Sequence, residues 1–354
     1  MKHLVIRNLG PLKEADVELK RINVIIGSQS SGKSCVLKTA CYCTWVEKRI
    51  ELTQTSDFFA KDENFLKELE RFHKLQGYIK SDTFISYESD FMAFSYENST
   101  KTFKFDWKED RWNYRRSKVT YIPAERNLVA AIPNWFQVKF NDDNIRSFID
   151  DWETVRQATT QNMPVLNLNV SYRYDTNTKS DKVQVDNDVT LDFTNTSSGL
   201  QSLIPLYVHL SYLVYRDDTK ISIGNSRENE KLQELIYQEF PIDEREFIYN
   251  NFTKVEHCDI FLEEPEANLF PPTQTVLVEW LLDLTKEQKP CHLFIATHSP
   301  YILETFLEKK KIDVQLLYTR KDNDKTLIKT ATEQDLQDMY DYGLDAFFNM
   351  ETLG

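Results

Sequence analysis

The stretch Gly27-Ser28-Gln29-Ser30-Ser31-Gly32-Lys33-Ser34 constrains this chain more than any other. It follows the apolar run Ile22-Asn23-Val24-Ile25-Ile26 and opens into a helix-like segment. Two glycines let the backbone turn so that successive N–H groups point at one centre, and the following helix adds the positive end of its dipole. A phosphate group fits such a cradle. Lys33 is then placed to reach the β- and γ-phosphates of a nucleotide, and the Ser34 hydroxyl to hold Mg²⁺. The nucleotide-binding set runs from Gly27 through Cys35. The alternative, a flexible serine-rich turn, gives Lys33 no task.

Two further apolar segments end in polar groups. Cys258-Asp259-Ile260-Phe261-Leu262-Glu263-Glu264-Pro265 reads as a buried strand closed by two carboxylates, which need a partner. Mg²⁺ with ATP supplies one: Glu263 would hold the metal's water shell, and Glu264 would accept a proton from the attacking water. The same pair could simply complement a helix dipole, with Pro265 in the first turn. The run His292-Leu293-Phe294-Ile295-Ala296-Thr297 ends in His298-Ser299-Pro300. There His298 could sense a γ-phosphate or orient the lytic water, or be a satisfied core residue. Lys33, Glu264 and His298 are the candidate catalytic residues.

With 354 residues, 41% hydrophobic and 13% aromatic, the chain can bury one large core or two modest ones. Met1 to Ile6 reads as a strand rather than a signal peptide. The longest apolar stretch, residues 203–215, contains His209 and Ser211 and is too short to cross a bilayer, so a cytoplasmic protein is expected. The five cysteines, scattered through apolar surroundings without CxxC pairs, read as buried thiols. A net charge of −13 argues against a broad duplex-DNA surface.

Along the chain, a hairpin of residues 2–8 and 15–19 precedes the phosphate-loop strand, and a helix follows over 33–52. A charged helical stretch is expected over 61–78, then antiparallel strands at 83–87 and 102–107 with a turn at 97–100, and a buried strand at 119–123. Residues 127–188 read as an inserted lobe and 226–254 as a charged helical insertion. The expectation is one elaborated domain: an N-terminal lobe (1–126), an inserted lobe (127–190) and a C-terminal lobe (191–354). The fold class is α/β, with a mixed sheet holding the phosphate-loop and carboxylate strands side by side at its centre, an antiparallel β subdomain and helical insertions.

Five segments in order resemble those of P-loop NTPases of the ABC type, in the SMC and RecF group, and most closely its OLD branch: GSQSSGKS at 27–34, YIPAERN at 121–127, NTSSGLQS at 195–202, FLEEPEANLFP at 261–271 and IATHSPYIL at 295–303. From the residues alone, NTSSGLQS is a Ser/Gly turn capping an apolar helix. The resemblance makes it a signature motif, in which Ser198, Gly199 and Gln201 contact ATP held by the loop of a second copy. Leu200 stands where many ABC proteins have a second glycine. Residues 266–268 resemble a loop that crosses the dimer interface. Arg7 and Asn8 resemble the nucleotide-proximal pair of this group, with a surface turn as the alternative. Arg126 would be a phosphate or interface contact.

The resemblance implies an ATPase, using ATP and Mg²⁺, that forms a homodimer around nucleotide. OLD-branch proteins often carry a C-terminal Toprim nuclease, but only about fifty residues follow His298, and Asp322-Asn323-Asp324 reads as a solvated turn. The chain is thus similar to ATPase subunits of bacterial phage-defence systems such as PARIS and Septu, which control a separate nuclease or toxin. The competing expectation is a RecF-like DNA-processing ATPase, with Arg111, Arg115, Arg116 and Lys118 among aromatic residues as the DNA contact. A polar edge strand with blunting charges explains the same residues. A phosphate-loop kinase leaves NTSSGLQS without a role, and a nucleotide-binding scaffold that barely hydrolyses stays open.

Overall fold

A computed structural model describes residues 2–132, 135–186, 188–215, 226–286, 290–308 and 314–342. The end of the expected C-terminal lobe, residues 343–354, lies outside them. The chain opens with β1 (Lys2–Leu9), β2 (Leu12–Leu19) and β3 (Ile22–Ile26), then α1 (Lys33–Thr53), α2 (Asp57–Ala60) and α3 (Asn64–His73). A meander of β4 (Ile79–Glu88), β5 (Met92–Glu97) and β6 (Thr102–Trp107) leads to β7 (Ser117–Ile122). The middle of the chain holds α4 (Leu128–Ala131), α5 (Asn144–Ala158), β8 (Met163–Pro164), β9 (Ser171–Asp175), β10 (Ser180–Asp186) and β11 (Val189–Asp192). Then come α6 (Ser198–Tyr215), α7 (Ser226–Glu239), α8 (Ile242–Thr253), β12 (His257–Glu263), α9 (Pro271–Leu284) and β13 (Cys291–Thr297). The described part closes with α10 (Pro300–Glu308), β14 (Val314–Asp322), β15 (Lys325–Thr330) and α11 (Glu333–Tyr342).

Eleven strands form one mixed sheet in the order β6-β5-β4-β1-β2-β15-β14-β3-β13-β12-β7. The segment β14-β3-β13-β12-β7 is parallel throughout, and it carries the site. Its strands are buried on both faces, as parallel strands between helical layers must be. β3 is buried at all five positions. Alternation divides β12 and β13 between two cores. Ile260, Leu262, Leu293 and Ile295 face the core under α5, α6, α9 and α10, while Phe261 and Phe294 face the core under α1 and α3. These two rings stack at 4.4 Å and 9°. Removing either would open a cavity and cost about 3–5 kcal/mol.

Three sequence expectations need correction. The phosphate-loop strand and the carboxylate strand are not adjacent, because β13 lies between β3 and β12. The crossover through α9 returns the chain into the space between them, so the His298 strand joins the loop to the carboxylates. The strands at 83–87 and 102–107 do not pair with each other: β5 lies between them and pairs antiparallel with both. Its alternation, buried at Met92, Phe94 and Tyr96, was the unread signal. The helical stretch at 61–78 shortens to α3, which ends on Lys74 in the left-handed conformation.

The inserted segment forms a second, four-stranded sheet, β11-β10-β9-β8. Its Tyr172 and Val183, with Trp152 of α5, join the same apolar cluster as Ile22 and Val24 of β3. All five cysteines are buried and free, as expected.

Candidate functional site

β3, β13 and β12 run in parallel, so their carboxyl ends lie together, where ligands of open α/β sheets bind. Gly27 leaves β3 with its α-carbon against Thr319, and an added Cβ would fall 1.9 Å from Thr319 Oγ1. Gly32 caps α1 with φ 91°, and a Cβ there would meet Leu12 Cδ2 at 2.6 Å. Only glycine fits either place. The first turn of α1 has no side-chain cap and no acidic residue. Its N–H groups and the dipole are therefore left for an anion. The Ser31 hydroxyl donates to the Ser28 carbonyl at 2.7 Å, closing the loop on itself.

Lys33 is 4% exposed and donates to the carbonyls of Gly27 (2.9 Å) and Ser28 (2.7 Å). Its Nζ also stands 3.2 Å from His298 Nδ1. Burial pulls its pKa down to about 8, against the opposing pull of Glu264 and Glu266. His298 Nε2 faces Glu264 Oε1 at 3.4 Å. The Lys33 ammonium before Nδ1 and the Glu264 carboxylate before Nε2 suit a ring that carries a proton on Nε2. Lys33, His298 and Glu264 thus form one line from the loop of β3, across the end of β13, to the end of β12. The His298 side chain, with Lys33 and Arg126 behind it, holds the Glu264 carboxyl below its usual range despite partial burial.

Glu264 adopts φ 43°, the left-handed region, in which a residue with a Cβ is strained. Its N–H donates to the Ala296 carbonyl at 2.8 Å. Its own carbonyl accepts from Arg126 at 2.9 Å. Glu266 turns back to accept from the His298 N–H at 2.6 Å, fixing the end of β13 to the turn after β12. Ser299 caps α10 and donates to Gln274 Oε1 at 2.5 Å.

Arg126 is not a phosphate contact. It is fully buried, and its guanidinium donates to the carbonyls of Ser202, Pro123, Glu263, Glu264 and Pro265. A charge so far from water keeps its place only because every donor direction is filled. Burial still lowers its pKa to about 10. The visible signal was a lone cation just after a buried strand, which has to find partners inside.

The two candidate magnesium ligands, Ser34 and Glu263, are oxygen donors at a helix start and a strand end. Ser34 lies in the first turn of α1. Glu263 is 6% exposed at the end of β12, with its carboxylate 3.9 Å from the Lys38 ammonium of α1. A hydroxyl and a carboxylate acting through water suit a hard ion that keeps much of its hydration shell. Cys35 packs behind the loop, its thiol pushed up to about 12 by burial, so any part it takes is through its backbone.

The NTSSGLQS segment opens α6, beside the turn that follows β12. Ser198 is exposed at the first position of α6. A Cβ on Gly199 would stand 3.1 Å from the Asn268 carbonyl, and the Asn268 amide donates to the Ser202 hydroxyl at 2.8 Å. The signature helix therefore packs on the loop that follows Glu264 in the same chain. Gln201 donates both amide bonds to the carbonyls of Thr194 and Thr196, so its donors shape the turn. Arg7 is paired with Glu14 at 3.0 Å and lies over the Phe84 ring, and Asn8 accepts from Lys325 at 2.9 Å, which favours the surface-turn reading.

The basic stretch after β6 is used internally. Arg111 is sandwiched by Trp107 and Trp112, with ring centroids 4.1 and 4.3 Å away. Arg116 donates to the Thr253 carbonyl at the end of α8, and Lys118 pairs with Asp151 at 3.0 Å. Among the four, Arg115 alone is classed as exposed.

A parallel sheet with a glycine loop between a central strand and a helix defines the phosphate-loop class of α/β nucleotide-binding folds. Within it, the solved structures similar to this chain include SMC head domains. An SMC head bound to the C-winged helix domain of ScpA matches at 9% identity and TM-score 0.47, covering 95% of this chain and 98% of that one. The SMC head domain from Thermotoga maritima matches at 9% identity and TM-score 0.46, over 93% and 98%. The Pyrococcus furiosus SMC head with an extended coiled coil matches at 7% identity and TM-score 0.45, over 96% and 99%. No protein-family model and no curated protein matches the sequence. Among the described residues, no helix is long and apolar enough to cross a membrane.

Proposed function

We propose that this chain is an ATP-hydrolysing molecular switch, in which two copies close around two Mg-ATP molecules and turnover separates them to hold or release a partner effector. The observation that carries this reading is the line of Lys33, His298 and Glu264 across three adjacent strand ends, beside an anion-binding helix terminus. Lys33 exchanges its loop carbonyls for phosphate oxygens. Glu264, ionised and held by His298, accepts a proton from the water that attacks the γ-phosphorus. His298, its Nε2–H directed at Glu264, fixes where that carboxylate points. Ser34 and, through water, Glu263 would hold magnesium, which when bound would supply neutralising charge to the phosphate oxygens.

The dimer follows from what the signature helix offers. Its N-terminus, where Ser198 is exposed and the Leu200 N–H rests on the Ser197 hydroxyl at 3.4 Å, would be a second anion site for a phosphate held by another copy. Beside it Phe270 is 74% exposed on the loop after Glu264, an apolar residue with the placement of an interface anchor. For the effector, the insertion α7–α8 presents Ile242 (82% exposed) and Phe247 (65% exposed). A role in bacterial phage defence rests on the motif resemblance alone. The RecF-like alternative loses support because the half-buried Arg111, Arg116 and Lys118 each have a partner within the chain.

The test is phosphate release by the wild type, Lys33→Ala and Glu264→Gln. Magnesium-dependent turnover is expected in the wild type, with loss of nucleotide binding in Lys33→Ala. Glu264→Gln should keep binding and lose about 100-fold or more in rate. A wild type that binds ATP and releases no phosphate would refute hydrolysis.

A further inference from the structure

At the opposite end of the sheet, β12 and β13 begin with His257, Asp259 and His292. His257 and Asp259 are two residues apart and share a face of β12, and Asp259 is directly in register with His292 of β13. One ligand atom from each of the three lies within 4.8 Å of the others. His257 Nε2 is 3.6 Å from Asp259 Oδ2, and His292 Nδ1 is 2.8 Å from Asp259 Oδ1.

Four observations distinguish this cluster from an ordinary buried ion pair. The Asp259 side chain is 0% exposed, and its Oδ2 has no hydrogen-bond partner. Both imidazoles line a cavity of about 970 Å³, while the carboxylate sits behind them. The nearest cation, Lys2, is divided between Asp259 and Glu47 at 3.6 Å each, so two carboxylates share one ammonium. One net negative charge is left beside two nitrogen donors. Finally, tetrahedral zinc with two imidazoles and a carboxylate needs donor separations of about 3.3–3.5 Å, within small side-chain rotations of those present.

We propose that His257, Asp259 and His292 form a binding site for a zinc-class divalent cation, with one coordination position open to the cavity. Two nitrogens and one oxygen suit zinc, cobalt or nickel rather than magnesium or calcium. On binding, His292 exchanges its bond to Asp259 for one to the metal, and Lys2 moves fully to Glu47. The site is separate from the nucleotide loop, which lies at the other end of the same strands.

The full chain is titrated with CoCl₂ and ZnCl₂, read by visible absorption and calorimetry. One equivalent is expected, with the d–d bands of a four-coordinate nitrogen–oxygen complex and no thiolate charge-transfer band. The double variant His257→Ala/His292→Ala should bind about 100-fold or more weakly, and Glu263→Ala should bind as the wild type does. Should the double variant fail to fold, the wild-type cobalt spectrum decides alone. A thiolate spectrum, wild-type binding no tighter than that of a folded double variant, or binding lost in Glu263→Ala would overturn the proposal.

Discussion

The Arg126 guanidinium stands 2.9 Å from the main-chain oxygen of Glu264 and 2.9 Å from that of Ser202. One buried side chain thus ties the turn that carries Glu264 to the helix that begins at Ser198. In Arg126→Lys, a point charge replaces a planar fork, and several of the five carbonyls lose their donor. A destabilisation on the order of 3 kcal/mol is expected by denaturant titration. Turnover should fall about 100-fold through displacement of Glu264, while affinity for nucleotide, set by the loop, changes only a few-fold. Unchanged turnover in a folded Arg126→Lys would remove its positioning role.

Lys33 gives nucleotide affinity a pH dependence. With its pKa lowered to about 8 by burial, the ammonium is largely intact below pH 7 and is lost progressively above 8. A bound phosphate favours the charged form and raises that pKa. Affinity is therefore expected to be flat below 8 and to weaken by up to about tenfold per pH unit above it. Equilibrium titration with a fluorescent ATP analogue between pH 6.5 and 9.5 checks this, and Lys33→Ala should abolish the slope together with most of the binding.

In the proposed mechanism His298 works through Glu264, 3.4 Å from its Nε2. His298→Ala should keep nucleotide binding, lower turnover by about 10²-fold, and let the Glu264 carboxyl rise toward its ordinary range, because the contact that depresses it is gone. The acid limb of the pH–rate profile should then move to higher pH. His298→Gln, which can still donate toward Glu264, should recover part of the rate.

Two buried histidines set an acid limit on stability. Burial holds His209 down to about 4 and His73 to about 3. Unfolded, each takes up a proton near pH 6.5, so protons favour the unfolded chain. Stability should decline as pH falls from about 6.5 toward 4, by on the order of 3 kcal/mol for His209 alone. Chemical denaturation across that range measures the slope. His209→Leu should reduce it, since Phe148 stacks on the ring and Asp151 lies 4.0 Å from its Nε2.

The phosphate loop, α1 and the strands ending in Glu263 and His298 were legible because each is an apolar run closed by residues with no use in a core. The order in which those strands lie was not. Strand order depends on which way α9 crosses, and nothing in residues 258–300 encodes that locally. Arg126 was read outward, as a ligand contact, because a cation after a strand looks the same whether it faces solvent or five carbonyls. The same ambiguity holds at Arg111, Arg116 and Lys118, whose partners Trp107, Thr253 and Asp151 come from other elements. The His257, Asp259 and His292 cluster is split over 35 residues and forms only through strand register.

The central claim is that the Ser198 helix end completes the nucleotide site of a second copy. Solution mass of Glu264→Gln, with and without Mg-ATP, tests it most directly. The account predicts a monomer without nucleotide, a stable dimer with Mg-ATP, and loss of that dimer in Glu264→Gln/Ser198→Arg with nucleotide binding retained. A mass that does not change although ATP is bound, or a dimer indifferent to Ser198→Arg, would contradict it.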